Sequence, residues 1–284
     1  MPKKKKPFSP AERIENEYRR GLEHSILNRI GAAGKGAQGI LQSLHQLSET
    51  NLLFEYARIL ARRMITHVRA SNARSWREAA SKAGKGPEMY AALKTELKGP
   101  VGDRIRELLT ENARLIKSLP SELAEKASHD IAEMQQKGMR AADISKYIRQ
   151  RVPKLAKSRI ALIARTEASK AATALTQVRS EQLEIPAYEW SSVRDSRTRP
   201  GHRHMDGVLV FWDDPPDPEK LVGEKSSGAP YHAGNIYNCR CSPLPLVSLD
   251  EVRWPKKVFH NGAISYWTRS KFVDYLRRIG ARAA

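Results

Sequence analysis

Cysteine is scarce in this chain: 284 residues contain two, Cys239 and Cys241, too few for a disulfide framework. A bridge between them would close a very small, strained ring, so in a reducing compartment the pair reads as metal-binding, catalytic or simply free thiols. Long apolar runs are missing as well. No stretch of about 18 apolar residues is present to span a bilayer. The opening MPKKKKPFSP carries charge without the apolar region of a secretory signal, so the sequence predicts a soluble, cytosolic protein without a membrane partner. Acidic residues are the third shortage. Lys+Arg number 50 against 31 Asp+Glu, a formal charge of +19 and a pI near 10.0, which points to a polyanionic partner, either nucleic acid or an acidic protein surface.

What is present divides the chain into four stretches: a loose basic tail at 1–8, a helical region at 9–153, a module at 154–247 and a basic, aromatic tail at 248–284. Ser9, Pro10 and Glu12 supply a cap, a first-turn proline and a capping-box carboxylate for the opening helix. GAAGKGAQG at 31–39 lowers helix propensity and predicts a break. Leu53, Tyr56, Ala57, Leu60, Met64 and Val68 then recur at helical spacing, predicting a long amphipathic helix over roughly 41–80. A further helix carries Val101, Ile105, Leu108 and Ile116 and is expected to stop near Pro120, with another running to Gly138 and a short one up to Pro153. SRIALIARTEASKAATALTQVR at 158–179 is Ala-rich and free of Gly and Pro, a firm helix. From Pro186 prolines, glycines and tryptophans accumulate, and AYEWSSV and GVLVFW read as strands. The fold class is therefore α+β: a helical first half, a small loop-rich module, and a tail in which Phe272, Tyr275, Leu276 and Ile279 suggest a terminal amphipathic helix.

Two loop-like segments concentrate chemistry. RDSRTRPGHRHMDG at 194–207 and YHAGNIYNCRC at 231–241 bring together His202, His204, His232, Cys239, Cys241, Asp195 and Asp206. Zinc takes four tetrahedral nitrogen and sulfur ligands, and a Cys-x-Cys turn with histidines from another loop supplies that chemistry, with His204, His232 or Asp206 as candidates for the fourth place. The competing reading is that the thiols are small packing residues and the histidines hydrogen-bond in a polar cluster. Arg194, Arg197 and Arg199 beside Asp195 and Asp206 likewise suit a structural ion-pair network. Lys3, Lys4, Lys5 and Lys6 are a solvated tail or a run of phosphate or portal contacts.

IARTEASKAA at 163–172, DSRTRPGHRHMDG at 195–207 and NCRC at 238–241 resemble, in this order, the three signatures of the Mu F-like head-morphogenesis family of tailed phages. ENARLIKSLPSELAEKASHDI at 111–131 is similar to the helical lead-in of such proteins, so the resemblance spans roughly 111–246 and leaves 1–110 and 248–284 outside it. It marks Arg165, Thr166 and Glu167 on the helix, Asp195, Arg197, Arg199, His202, Asp206 and Gly207 in the loop, and Asn238, Cys239 and Cys241 at the close. What it implies is a minor head protein without enzymatic activity, assembled in the host cytoplasm and placed inside the head at the portal vertex. The implied partners are the portal protein, major capsid or scaffolding protein, and packaged double-stranded DNA.

Two other functions compete with that reading. A metal-dependent hydrolase or nuclease-like enzyme would use His202, His204, Asp195 and Asp206 around a hydroxide-generating metal. A non-specific DNA-binding protein would need only the charge.

Overall fold

The computed structural model describes residues 7–32 and 36–281, which gather into two compact units. Lys3 to Lys6 lie outside the described residues. Helices occupy the chain to residue 182: α1 (Glu12–Gly31), α2 (Ala37–Glu49), α3 (Asn51–Lys82), α4 (Gly86–Thr95), α5 (Pro100–Gln136) and α6 (Ala141–Gln182). No helix among the described residues is long and apolar enough to cross a membrane.

The helical unit comprises Glu12–Thr66 and Arg106–Glu167. Its helices form because apolar side chains return every three to four residues: Ile14, Tyr18, Leu22, Ile26 and Ile30 are all buried on α1, and Ile144, Ile148, Val152, Ala156 and Ile160 on α6. Tyr18 donates to Asn112 Oδ1 at 3.1 Å, which satisfies a phenol inside the core. Gly21 is required by close approach, since a Cβ there would stand 2.6 Å from the Leu60 side chain. The helix expected over 41–80 is instead two, divided at Thr50, whose extended backbone ends α2.

Two expected stops fail. α5 continues through Pro120 and α6 through Pro153. A proline inside a helix costs about 3 kcal/mol through the lost hydrogen bond and the ring clash. Leu119 and Leu123 are buried either side of Pro120, as are Val152 and Ala156 beside Pro153. Burying a leucine or valine side chain contributes about 1.5–3 kcal/mol, so packing of the flanking turns outweighs the local penalty.

The other unit comprises residues 7–11, His67–Ile105 and the chain from Ala168 onward. It holds a five-stranded mixed sheet of order β3-β1-β2-β4-β5, built from β1 (Ala187–Ser191), β2 (Leu209–Phe211), β3 (Ser242–Pro245), β4 (Lys256–His260) and β5 (Ala263–Trp267). β1 runs antiparallel to β2 and β3, while β2 pairs in parallel with β4. The period of two sorts side chains cleanly: Tyr188, Trp190, Val208, Val210 and Trp212 enter one buried cluster, and Ala187, Leu209 and Phe211 the other. The second cluster is completed by Phe272 and Leu276 of helix α8 (Arg269–Arg278).

Strands β4 and β5 occupy sequence read above as part of a tail that carried only a helix. Asn261 and Gly262 form their two-residue turn with φ of 48° and 81°. Asn-Gly between alternating apolar residues is the strongest short-range hairpin signal, and here it makes the turn that converts the expected tail into a strand pair.

A buried polar network ties α3 to α6 in this unit. Arg179 meets Glu96 through Nη2 at 2.7 Å and Nε at 3.0 Å and also donates to Asn72, whose amide reaches Thr176 Oγ1 at 2.7 Å. Burial lowers the Arg179 pKa, and the Glu96 charge opposes that effect. Arg179→Ala leaves the Glu96 carboxylate buried beside Arg69 alone and is expected to destabilise this unit by about 3–5 kcal/mol in urea unfolding. Arg179→Lys recovers only part, because an ammonium does not reproduce the guanidinium fork. A loss under about 1 kcal/mol for the alanine variant would refute the role given to the network.

Candidate metal centre

Residues 192–241 connect β1 to β3 with little regular structure: a five-residue helix, α7 (Pro200–His204), the three residues of β2 and a single 3-10 turn at Lys220–Val222. Their positions are fixed by side chains. Ser169 on α6 donates to the Cys239 carbonyl at 3.2 Å, and one turn later Thr173 donates to the Ala233 carbonyl at 2.7 Å. Gly234, with φ of 86°, lets the loop approach, since a Cβ would stand 2.5 Å from Thr173 Oγ1. Gly201 does the same for α7, where a Cβ would meet the Pro218 carbonyl oxygen at 2.3 Å.

Asp195 joins the second and third signatures. Its oxygens accept from Arg240 Nη1 at 2.5 Å and Nη2 at 2.8 Å, and its Oδ1 also accepts from the Thr198 hydroxyl at 3.1 Å and the Arg197 amide at 3.2 Å. The Arg240 contact holds the Asp195 carboxyl well below the usual range. Asp206 accepts from the Ser192 amide at 2.7 Å and pairs with Arg194. Gly207 follows it with φ of 79°, a turn with open space around the missing Cβ, so conformation alone requires glycine there. Arg199 donates to the Tyr237 carbonyl at 3.0 Å with its guanidinium 4.5 Å from that ring, while Arg197 and Asn238 are exposed. In the helical unit Arg165 pairs with Glu15 at 3.2 Å, and Thr166 and Glu167 are buried.

Of the five candidate ligands the structure gathers three. His202, Cys239 and Cys241 are all buried, with donor atoms within 4.8 Å of one another. His202 Nδ1 lies 3.5 Å from Cys239 Sγ and 3.4 Å from Cys241 Sγ. The other ring nitrogen, Nε2, is 2.8 Å from the Tyr231 hydroxyl, which donates to both Glu219 oxygens at 2.8 Å. Having given its proton to Glu219, that hydroxyl accepts from Nε2–H, so Nδ1 carries the lone pair and faces the sulfurs. Burial, then the hydrogen bond to Glu219 and its charge, push the Tyr231 phenol far above its ordinary pKa, which keeps the donor in place. A hydrogen bond with Cys241, together with His202, holds the Cys239 thiol well below its ordinary value against the opposing effect of burial.

His204 and His232 do not join the group. His204 is exposed at the end of α7, and Asp206, the third candidate for a fourth ligand, is engaged by Ser192 and Arg194. His232 is buried in an aromatic cage with Nδ1 3.2 Å from the Tyr188 hydroxyl, and its ring contacts Trp212 at a centroid distance of 5.1 Å. Tyr231, Glu219 and Arg240 were not anticipated as site residues. The polar spacing of Ser169, Thr173, Thr176 and Ser180 on an otherwise Ala-rich helix was the available signal that one face of α6 receives a loop.

Residues 125–244 match the family described as Phage Mu protein F like protein. An uncharacterised protein of Haemophilus influenzae (strain Rd) is 29% identical over 151 residues, covering 53% of this chain and 31% of its own. A protein of Bacillus phage SPP1 named Minor head protein GP7 is 30% identical over 173 residues, covering 56% of this chain and 54% of its own. The chain thus spans about half or less of the length of these curated relatives. No solved structure matches it.

The caged His232 generates a pH prediction. Burial lowers its pKa from 6.5 to about 4. Between those values the unfolded chain takes a proton that the folded chain refuses, so stability falls as pH drops through this window and levels off below it. The share belonging to His232 is about 3 kcal/mol. Urea unfolding at pH 7 and pH 4.5 should show a smaller loss in His232→Gln than in the parent protein, and equal losses would assign the slope to other groups. Over residues 125–244, the chain is similar to the family described as Phage Mu protein F like protein.

Proposed function

We propose that this protein is a minor head protein of a tailed phage, acting in head morphogenesis inside the head at the portal vertex. The observation that carries the reading is the match over residues 125–244, which contains all three signatures, joined by the printed name of the SPP1 relative. The geometry supports a structural use of those signatures. Ser169, Asp195, His202 and Cys239 tie α6, the loop before α7 and the turn before β3 into one knot, buried at His202 and Cys239 and half-exposed at Asp195.

The hydrolytic alternative is weaker on specific grounds. It requires His202, His204, Asp195 and Asp206 around one metal, whereas His204 is exposed, Asp195 is occupied by Arg240 and Asp206 by Arg194 and Ser192. Two sulfurs and an imidazole suit zinc in a stabilising role. The charge of +19 suits an acidic portal surface, with capsid or scaffolding protein and packaged double-stranded DNA as further partners.

Mass spectrometry of purified procapsids and virions is expected to find the protein, and consistent absence from both would defeat the proposal. Partner choice is read by salt. Portal association should persist between about 50 and 200 mM salt, a range over which purely electrostatic DNA binding through six or more phosphates falls by about a thousandfold or more. Loss of both interactions together would favour plain DNA binding by charge.

A further inference from the structure

We propose that His202 Nδ1, Cys239 Sγ and Cys241 Sγ bind one zinc ion with a water at the fourth corner, and that Tyr231 and Glu219 are its positioning residues. This deepens the reading of the cluster as a zinc site given above, and the test separates the two parts.

Distances come first. Zinc–sulfur bonds of about 2.3 Å and zinc–nitrogen bonds of about 2.1 Å at tetrahedral angles place sulfur and nitrogen about 3.6 Å apart. The two sulfurs lie 3.5 and 3.4 Å from Nδ1 before any ion is considered. The three segments that bring them there are already fixed by other contacts: α7 by the close approach of Gly201 to Pro218, Cys239 by Ser169, and Arg240 between the cysteines by Asp195. The site is pre-organised by its surroundings.

Valence comes next. One imidazole nitrogen has one lone pair in the ring plane, yet two sulfurs converge on it. A single S–H···N hydrogen bond uses that lone pair, so one of the two equidistant sulfurs bonds the ring and the other its neighbouring thiol. A cation at the point equidistant from the three atoms uses all of them. It also settles the charge: two thiolates and a neutral imidazole neutralise a divalent ion inside a pocket walled by Trp190, Met205 and Val208. The Cys241 amide lies 3.4 Å from Cys239 Sγ and donates to it, a contact that strengthens as the sulfur takes on negative charge.

The relay behind the histidine completes the argument. A metal-bound imidazole ordinarily donates its other N–H to a carboxylate, carbonyl or water, which fixes ring and tautomer. Here Nε2–H is given to Tyr231, and Tyr231 gives its proton to Glu219, a carboxylate 4% exposed whose distance of 3.7 Å from Nε2 is too long for a direct bond. Packing alone explains a buried histidine but gives no reason to bury a carboxylate behind a tyrosine on the nitrogen that points away from the sulfurs. His204 and His232 are excluded from the fourth corner by position, so water takes it.

The test uses the full chain purified without chelator. Elemental analysis is expected to give one zinc per chain, and X-ray absorption two sulfur and two nitrogen or oxygen neighbours per ion. Cys239→Ser with Cys241→Ser should abolish binding, while His204→Ala leaves it intact. Zinc near zero in the parent protein, or zinc retained by the double serine variant, overturns the site itself. Tyr231→Phe, with circular dichroism confirming its fold, should weaken zinc about 10- to 100-fold in competition with a chromophoric chelator. Glu219→Gln, whose carbonyl still accepts from Tyr231, should weaken it less. Unchanged affinity in Tyr231→Phe would overturn the relay while leaving the zinc site standing.

Discussion

The fold of the family region depends on how a loop-rich segment satisfies its backbone. Residues 192–241 have few strand or helix partners, and each stretch without them must find hydrogen bonds elsewhere or remain in water. α6 provides part of the answer. Its small hydroxyl residues let a loop lie against the helix and then bond the loop carbonyls of Ala233 and Cys239. The two donors stand four residues apart on one face of the helix, so approach and hydrogen bonding are delivered together. A larger residue at Gly234, or an apolar one at Thr173, attacks both at once.

That dependence explains which parts were legible in the sequence. Helix faces were readable because burial repeats every three to four residues, and β1 and β2 because their side chains alternate between two buried clusters. Pro120 and Pro153 misled because a local rule met long helices whose flanking turns are buried on both sides. The hairpin of β4 and β5 was hidden by its composition: lysines and aromatics read as a tail, while the decisive signal was the Asn261–Gly262 dipeptide. In the candidate site, the residues that meet were visible as chemistry but not as geometry. Spacing placed five ligand types in two loops. Only the fold separates His202, which faces the sulfurs, from His204, two residues on and exposed, and from His232, turned toward Tyr188.

The charge is redistributed by the fold in a way composition conceals. Arg165, Arg179, Arg194 and Arg240 each close on a carboxylate within their own unit. Arg199 lies on Tyr237. These arginines include most of those in the family signatures, and they are consumed internally. Arg197 and Arg203, by contrast, stay exposed in the same loop-like segment.

The chain's two cysteines stand together beside one histidine. Packing alone does not ask for a histidine between two buried cysteines and a tyrosine. A buried neutral imidazole with one nitrogen bonded through Tyr231 to Glu219 must place its remaining lone pair somewhere. The thiols that face it are weak donors, whereas a cation takes it as a ligand. The cluster is thus an expensive way to fill space and an economical way to hold a soft cation, and the histidine's orientation, rather than the presence of sulfur, is what distinguishes the two.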